Sequence, residues 1–200
     1  MTAPWQPLLD WWFGSSGSSK ETAATKGKLW FGKRDSQDLE AQSRFGDWVE
    51  QALAGGLTDW AQRPEGWLAL VLLLDQLPRM IYRDTPQCFS GDLRAQALVA
   101  QGVAADFDRQ LQPIQRVFIY LVFEHSENLA VQNEGVSRHI ELVAQQPEID
   151  RALFSDYLDY AERHRDVIAR FGRFPHRNAV LGRATTAEEL EFLSKPGSRF

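Results

Sequence analysis

At 200 residues the chain can form one domain and bury a sizeable core without metal or disulfide staples. A hydrophobic content of 44%, with seven Trp and 12 Phe, excludes a disordered chain, and the lone Cys88 excludes an intramolecular disulfide and suits a reducing cytoplasm, the expected location. The formal net charge of -5 argues against nonspecific nucleic-acid binding. The longest apolar runs, Trp67 to Leu74 and Val117 to Phe123, fall short of the roughly 20 residues of a membrane span, and Met1 to Trp5 lack the basic and apolar regions of a signal peptide.

In chain order, a short helix is predicted over Pro4 to Phe13. The Ser/Gly-rich stretch that follows reads as a flexible loop over 15–28, after which Leu29, Trp30 and Phe31 anchor the chain to the core. A helix starts at Asp35 or Ser36 and runs to Gly55-Gly56, with Leu39, Phe45, Trp48, Val49 and Ala52 on its apolar side. The next begins near Pro64 and, being apolar all round, should be central. It is expected to end or kink before Pro78. Further helices are expected from Ser90 or Gly91 through Ala104, from Pro113 to Glu124, and from a Ser126 cap to Gln146. A long helix follows from Glu148 to Phe171, stopped by Gly172. A short turn follows Pro175. Thr185 to Glu188 reads as a capping box for a last helix, Ala187 to Leu193. No alternating strand with hairpin signals appears. The expectation is one helical domain over 1–200, built from antiparallel helix pairs as in a bundle or α-solenoid.

Charge is uneven. Between Arg163 and Arg183 there are six Arg and one acid, Asp166, which points to a local anionic ligand or to internal ion pairs. Three constellations carry the chemically useful side chains. Asp75, Arg79 and Arg83 recur at steps of four and would share a helix face, either presenting two guanidiniums to an anion or pairing Asp75 with Arg79 as a buried ion pair that closes the helix end. Glu124, His125, Ser126 and Glu127 follow a dry helix, where His125 and Glu127 could serve as an acid–base pair or metal ligands, and Ser126 and Glu127 equally as a cap. His164 falls within the apolar stripe Leu153, Tyr157, Tyr160, Ile168 and Phe171. The turn Gly172 to Asn178 follows it, offering Arg173, His176, Arg177 and Asn178 to an anion or to helix capping. Cys88 has no evident histidine neighbour and reads as a small buried residue.

These segments, together with Trp12-Phe13-Gly14 and Leu181-Gly182-Arg183, resemble a bacterial family of unknown function, the domain-of-unknown-function family numbered 924. Val122 and Met80 depart from its pattern, where proline and asparagine would be expected. The resemblance implies a tetratricopeptide-like α-solenoid and carries no established activity. Three functions stand open. The first is a module binding a peptide or small anionic ligand through Arg79, Arg83, Arg173, Arg177 and Asn178. The second is a hydrolase using His125, Glu127, His164 and His176. The third is a partner-docking scaffold whose polar clusters are internal ties. No cofactor and no metal centre is expected.

Overall fold

The computed structural model describes residues 2–15 and 17–198. Among them the chain is helical throughout, with no strand, and no helix is long and apolar enough to cross a membrane.

Two apolar helices form the centre. In α4, Pro64–Ile81, nearly every side chain from Gly66 to Met80 is buried. In α6, Pro113–Glu124, the buried run extends from Arg116 to Glu124. Both start on a proline, whose missing N–H costs nothing in a first helical turn. The other helices cover them with one face each. On α3, Asp35–Leu53, the buried positions Ala41, Phe45, Val49 and Ala52 recur at steps of three and four, while Leu39 points to solvent, contrary to its expected inward placement. On α5, Asp92–Ala104, Gly102 lies flush against the Trp67 ring, whose indole N–H donates to the Leu98 carbonyl. Then α7, Leu129–Ala144, and α8, Glu148–Phe171, pack as neighbours across a short connection that turns the chain back. The buried stripe of α8 is Phe154, Ala161, His164, Val167 and Ile168, so Tyr160 and Phe171 sit at its edge. The last helix, α9, is Ala187–Leu193.

Four expectations need correction. The predicted loop over 15–28 is largely helix: α2 spans Ser19–Phe31, while Ser16 lies outside the described residues. It has little apolar face, with only Thr22, Leu29 and Trp30 buried. It is held instead by polar ends. Ser18 and Glu21 form a reciprocal capping box. At the other end Lys26 and the Trp30 indole donate to the carbonyls of Trp11 and Trp12 (2.8 and 2.9 Å), groups that the end of α1, Gln6–Phe13, leaves without helical partners. Phe118 of α6 then meets Trp12, Phe13 and Trp30 edge-on, with ring centroids 4.8–5.5 Å apart.

The helix expected to end or kink before Pro78 does not end there but continues to Ile81. Proline there removes the N–H that would bond the Leu74 carbonyl. Gly91 packs directly on that carbonyl, at a spot where any Cβ would clash. Asn128, not Ser126, caps α7, accepting from the N–H groups of Ala130 and Val131. Ser126 is buried and donates to Gln96. The capping box of α9 is Thr186 with Glu189, one residue later than Thr185 with Glu188.

Two glycines give a contrasting test. Gly102→Ala drives a methyl into the Trp67 ring and should cost about 1–3 kcal/mol in urea denaturation. Gly27 lies within α2 with open space around it, so Gly27→Ala should stabilise by about 0.5–1 kcal/mol. Were 15–28 a loop, Gly27→Ala would leave stability unchanged.

Candidate functional site

The C-terminal part of α4 carries a fully buried carboxylate, Asp75. Burial pushes its pKa up, but Arg79 and His125 outweigh burial and hold it well below the ordinary carboxylate range, so it is ionised. Its oxygens accept from Gln76 Nε2 (2.6 Å) and His125 Nδ1 (2.8 and 3.0 Å), with Arg79 3.2 Å away. An ionised carboxylate can only accept, so Nδ1 of His125 carries the hydrogen and Nε2 is left as the basic nitrogen. His125 occupies the C-cap of α6, so the end of the dry helix delivers the ring to α4. Burial, then Arg79, lower its pKa against the opposing pull of Asp75, which keeps the imidazole neutral.

Arg79 is fixed in turn. Its guanidinium makes a two-pronged bond to Asp92 at the start of α5 (2.9 and 3.0 Å) and donates to the Asp75 carbonyl (2.6 Å). Arg83 makes a similar pair of 2.8 Å bonds to Asp38 of α3. Both arginines predicted to meet an anion thus have carboxylate partners, which leaves less of their charge uncompensated.

A cavity of about 290 Å³ opens beside this network. His125, His164 and His176 line it together with Arg79, Arg83, Arg177, Lys33 and the thiol of Cys88; Asp84 is the one carboxylate on the wall. The His125 and His164 rings are 6.5 Å apart, and Phe174 bridges His164 to His176 with centroids at 5.7 and 5.5 Å. Three of the four predicted acid–base residues therefore meet at one cavity. His164 donates from Nδ1 to the Tyr160 carbonyl (2.8 Å), as its place in the buried stripe suggests. Burial lowers the pKa of His164 and His176 to about 3, helped at His176 by Arg177.

Arg177 is the exception among the cations. It is buried, stacked on Phe174 and Phe89 with its guanidinium carbon 4.5 and 4.8 Å from the ring centres. Its nearest carboxylate oxygen is Asp92 Oδ2 at 3.6 Å, already bonded to Arg79, and its Nε has no hydrogen-bond partner. Burial and then Arg79 lower its pKa to about 10. Lys33 is exposed and has no ion pair among the described residues.

The remaining predicted residues lie elsewhere. Glu127 accepts from the Phe174 N–H (2.8 Å) and from Arg183 (2.7 and 3.0 Å). Arg173 bonds Glu189 through two nitrogens (2.7 and 2.9 Å), and Asn178 donates to the same carboxylate (3.2 Å). These ties, with the Arg173 bond foremost, lower the Glu189 pKa to about 2. They clamp the turn that presents His176 and Arg177, and neither Arg173, Asn178 nor Glu127 lines the cavity.

Sequence reasoning missed Asp92, Lys33 and the place of Cys88 on the same cavity wall as the histidines. The missing signal was pairing across distant segments. Burial raises the Cys88 thiol pKa despite Arg79 and Arg177, so the sulfur stays protonated. Behind the cavity, Glu124 lies 3.4 Å from His139 Nε2 and 3.5 Å from His164 Nδ1. Burial first and Asp75 second raise its pKa well above the usual value, so a neutral acid faces two neutral rings. No group of three or more His, Cys, Asp or Glu among the described residues is arranged to hold a metal ion.

Residues 8–197 match the family described as bacterial protein of unknown function (DUF924), and the chain belongs to that family. A solved structure titled as a protein of unknown function, ATU0120 from Agrobacterium tumefaciens, is 34% identical. The similarity covers 94% of this chain and 96% of that one, with a TM-score of 0.78. No curated protein matches the chain.

The buried histidines set the acid response. His139, His164 and His176 have depressed pKa values, about 4, 3 and 3, so the unfolded chain binds their protons first. Their stabilising contribution is present above about pH 6.5 and is lost as pH falls towards 4. Asp75 adds a loss below its ordinary carboxylate range. Glu124 acts oppositely, holding a proton in the folded state, so stability falls as pH rises through its raised pKa. Urea midpoints should decline from pH 7 to 4.5, and His139→Phe should flatten that decline.

Proposed function

We propose that this member of the DUF924 family binds a small anionic ligand in the cavity lined by Arg79, Arg177, Lys33 and the three histidines. The observation that carries the reading is Arg177. A buried guanidinium with an unbonded Nε and a shared, distant carboxylate is costly unless something else completes its shell. An oxyanion in the cavity offsets the incompletely compensated charge of this guanidinium, and Lys33 supplies a second charge at the wall. A volume of about 290 Å³ suits a small carboxylate or phosphate better than a peptide. The pairing of α3 with α4, α6 with α7 and α7 with α8 supports a tetratricopeptide-like solenoid of antiparallel helix pairs as the frame of the site.

Calorimetric titration with succinate and inorganic phosphate tests this. Binding should weaken with salt. Arg177→Met should lower affinity about 10- to 100-fold, the worth of one charge-assisted hydrogen bond. Arg173→Ala, which loosens the turn from outside the cavity, should cost less than that. Equal affinities for wild type and Arg177→Met, or an equal loss from Arg173→Ala, would overturn the assignment.

A further inference from the structure

We propose that this cavity hydrolyses an ester or amide whose acyl part carries an anion and whose leaving group is apolar, with His125 as the general base that activates water. The proposal rests on the anion site above and adds the reaction and the second half of the substrate.

A second cavity of about 210 Å³ adjoins the first. It shares Lys33, Arg79, Arg83, His125 and His164 with the first, and its remaining wall is mostly apolar, including Trp30, Phe31, Met80 and Leu121. The imidazoles of His125 and His164 therefore stand at the seam between a cation-rich compartment and one with a larger apolar wall. A ligand filling both must place its central bond at that seam.

Of the two rings, only His125 is built as a base. Its Nδ1–H is held by an ionised, fully buried carboxylate, which fixes the tautomer and stabilises the imidazolium formed when Nε2 takes a proton. The Nδ1 of His164 is held instead by the neutral Tyr160 carbonyl, with a protonated Glu124 nearby. Arg79, locked to Asp92, keeps Asp75 charged. Among the described residues no serine or threonine lines either cavity, and the Cys88 thiol is protonated, so water is the nucleophile.

The step balances without a further reactant. His125 Nε2 takes a proton from water as the oxygen bonds to the carbonyl carbon. The carbonyl electrons move to oxygen, and the resulting oxyanion forms beside the cations of the first cavity. On collapse the carbonyl re-forms, the bond to the leaving oxygen or nitrogen breaks, and the proton on Nε2 passes to the leaving group. The products are a carboxylic acid and an alcohol or amine. Asp75 is a positioning residue and remains ionised throughout.

The probe is the mono-p-nitrophenyl ester of succinic acid, which has a carboxylate at one end and an aryl leaving group at the other, compared with neutral p-nitrophenyl acetate. Wild type should prefer the charged ester in kcat/KM, with a rate that rises with pH and levels off above a midpoint below about 6.5. Asp75 and Arg79 from α4, Asp92 from α5, His164 from α8, and His176 and Arg177 from the 172–183 turn all bear on that midpoint. His125→Gln should lower kcat about 10²- to 10⁴-fold while keeping wild-type helicity and a cooperative urea transition, which shows that it folds. Asp75→Asn should lower kcat with little change in KM and shift the midpoint down. If succinate binds but wild type and His125→Gln hydrolyse the ester equally, the hydrolase proposal fails and the anion site stands. If neither succinate nor phosphate binds, both fall.

Discussion

A single ionised carboxylate inside an otherwise dry helix governs the centre of this protein. Asp75 sits on α4 with no exposed surface, flanked by leucines. An isolated charge there would cost several kcal/mol in desolvation, so the surrounding fold must answer it. It does so from two directions. Arg79, one turn on, supplies positive charge and is itself held by Asp92 at the start of α5. His125 closes the end of α6 and donates its Nδ1–H. Removing any of these would leave a buried charge without its complement, so α4, α5 and α6 are bound by electrostatics where they are also bound by packing.

The segment after α8 obeys a different rule. Its arginines answer the carboxylates of Glu127 and Glu189, and the backbone of the turn is pinned by the same groups. Arg183 reaches Glu127, Asn178 and the Phe174 carbonyl at once. This rigid knot leaves His176 and Arg177 facing inward, with Arg177 sandwiched between Phe89 and Phe174. A stiff turn carrying one incompletely bonded guanidinium is what a preorganised site requires, because little ordering remains when a ligand arrives.

Much of this was legible before any coordinates. The apolar runs located α4 and α6, periodicity located α3 and α8, and the glycine after Phe171 does adopt the left-handed conformation that ends the long helix, with φ +66°. Of the groups named by the hydrolase reading, His125, His164 and His176 line one cavity, while Glu127 lies outside it. Two kinds of fact were not readable. Composition hid α2, since a helix held by its caps and by tryptophan carbonyls leaves no apolar stripe to find. Nor could spacing separate Arg173 from Arg177. They stand four apart with similar neighbours, and their fates diverge only because Glu189, far along the chain, folds back onto the first. Ion-pair partners chosen across tens of residues leave no local pattern.

The proline within α4 has a reach beyond its own helix. Because Pro78 has no proton to offer, the Leu74 carbonyl stays open, and the backbone at Gly91 comes in against it where no side chain would fit. Asp92 is the next residue. The depth to which that glycine sinks thus sets how closely the Asp92 carboxylate can grip Arg79, and through it how firmly Asp75 holds the imidazole at the cavity. A hydrogen atom absent from one nitrogen becomes the ruler for the charge network beside it.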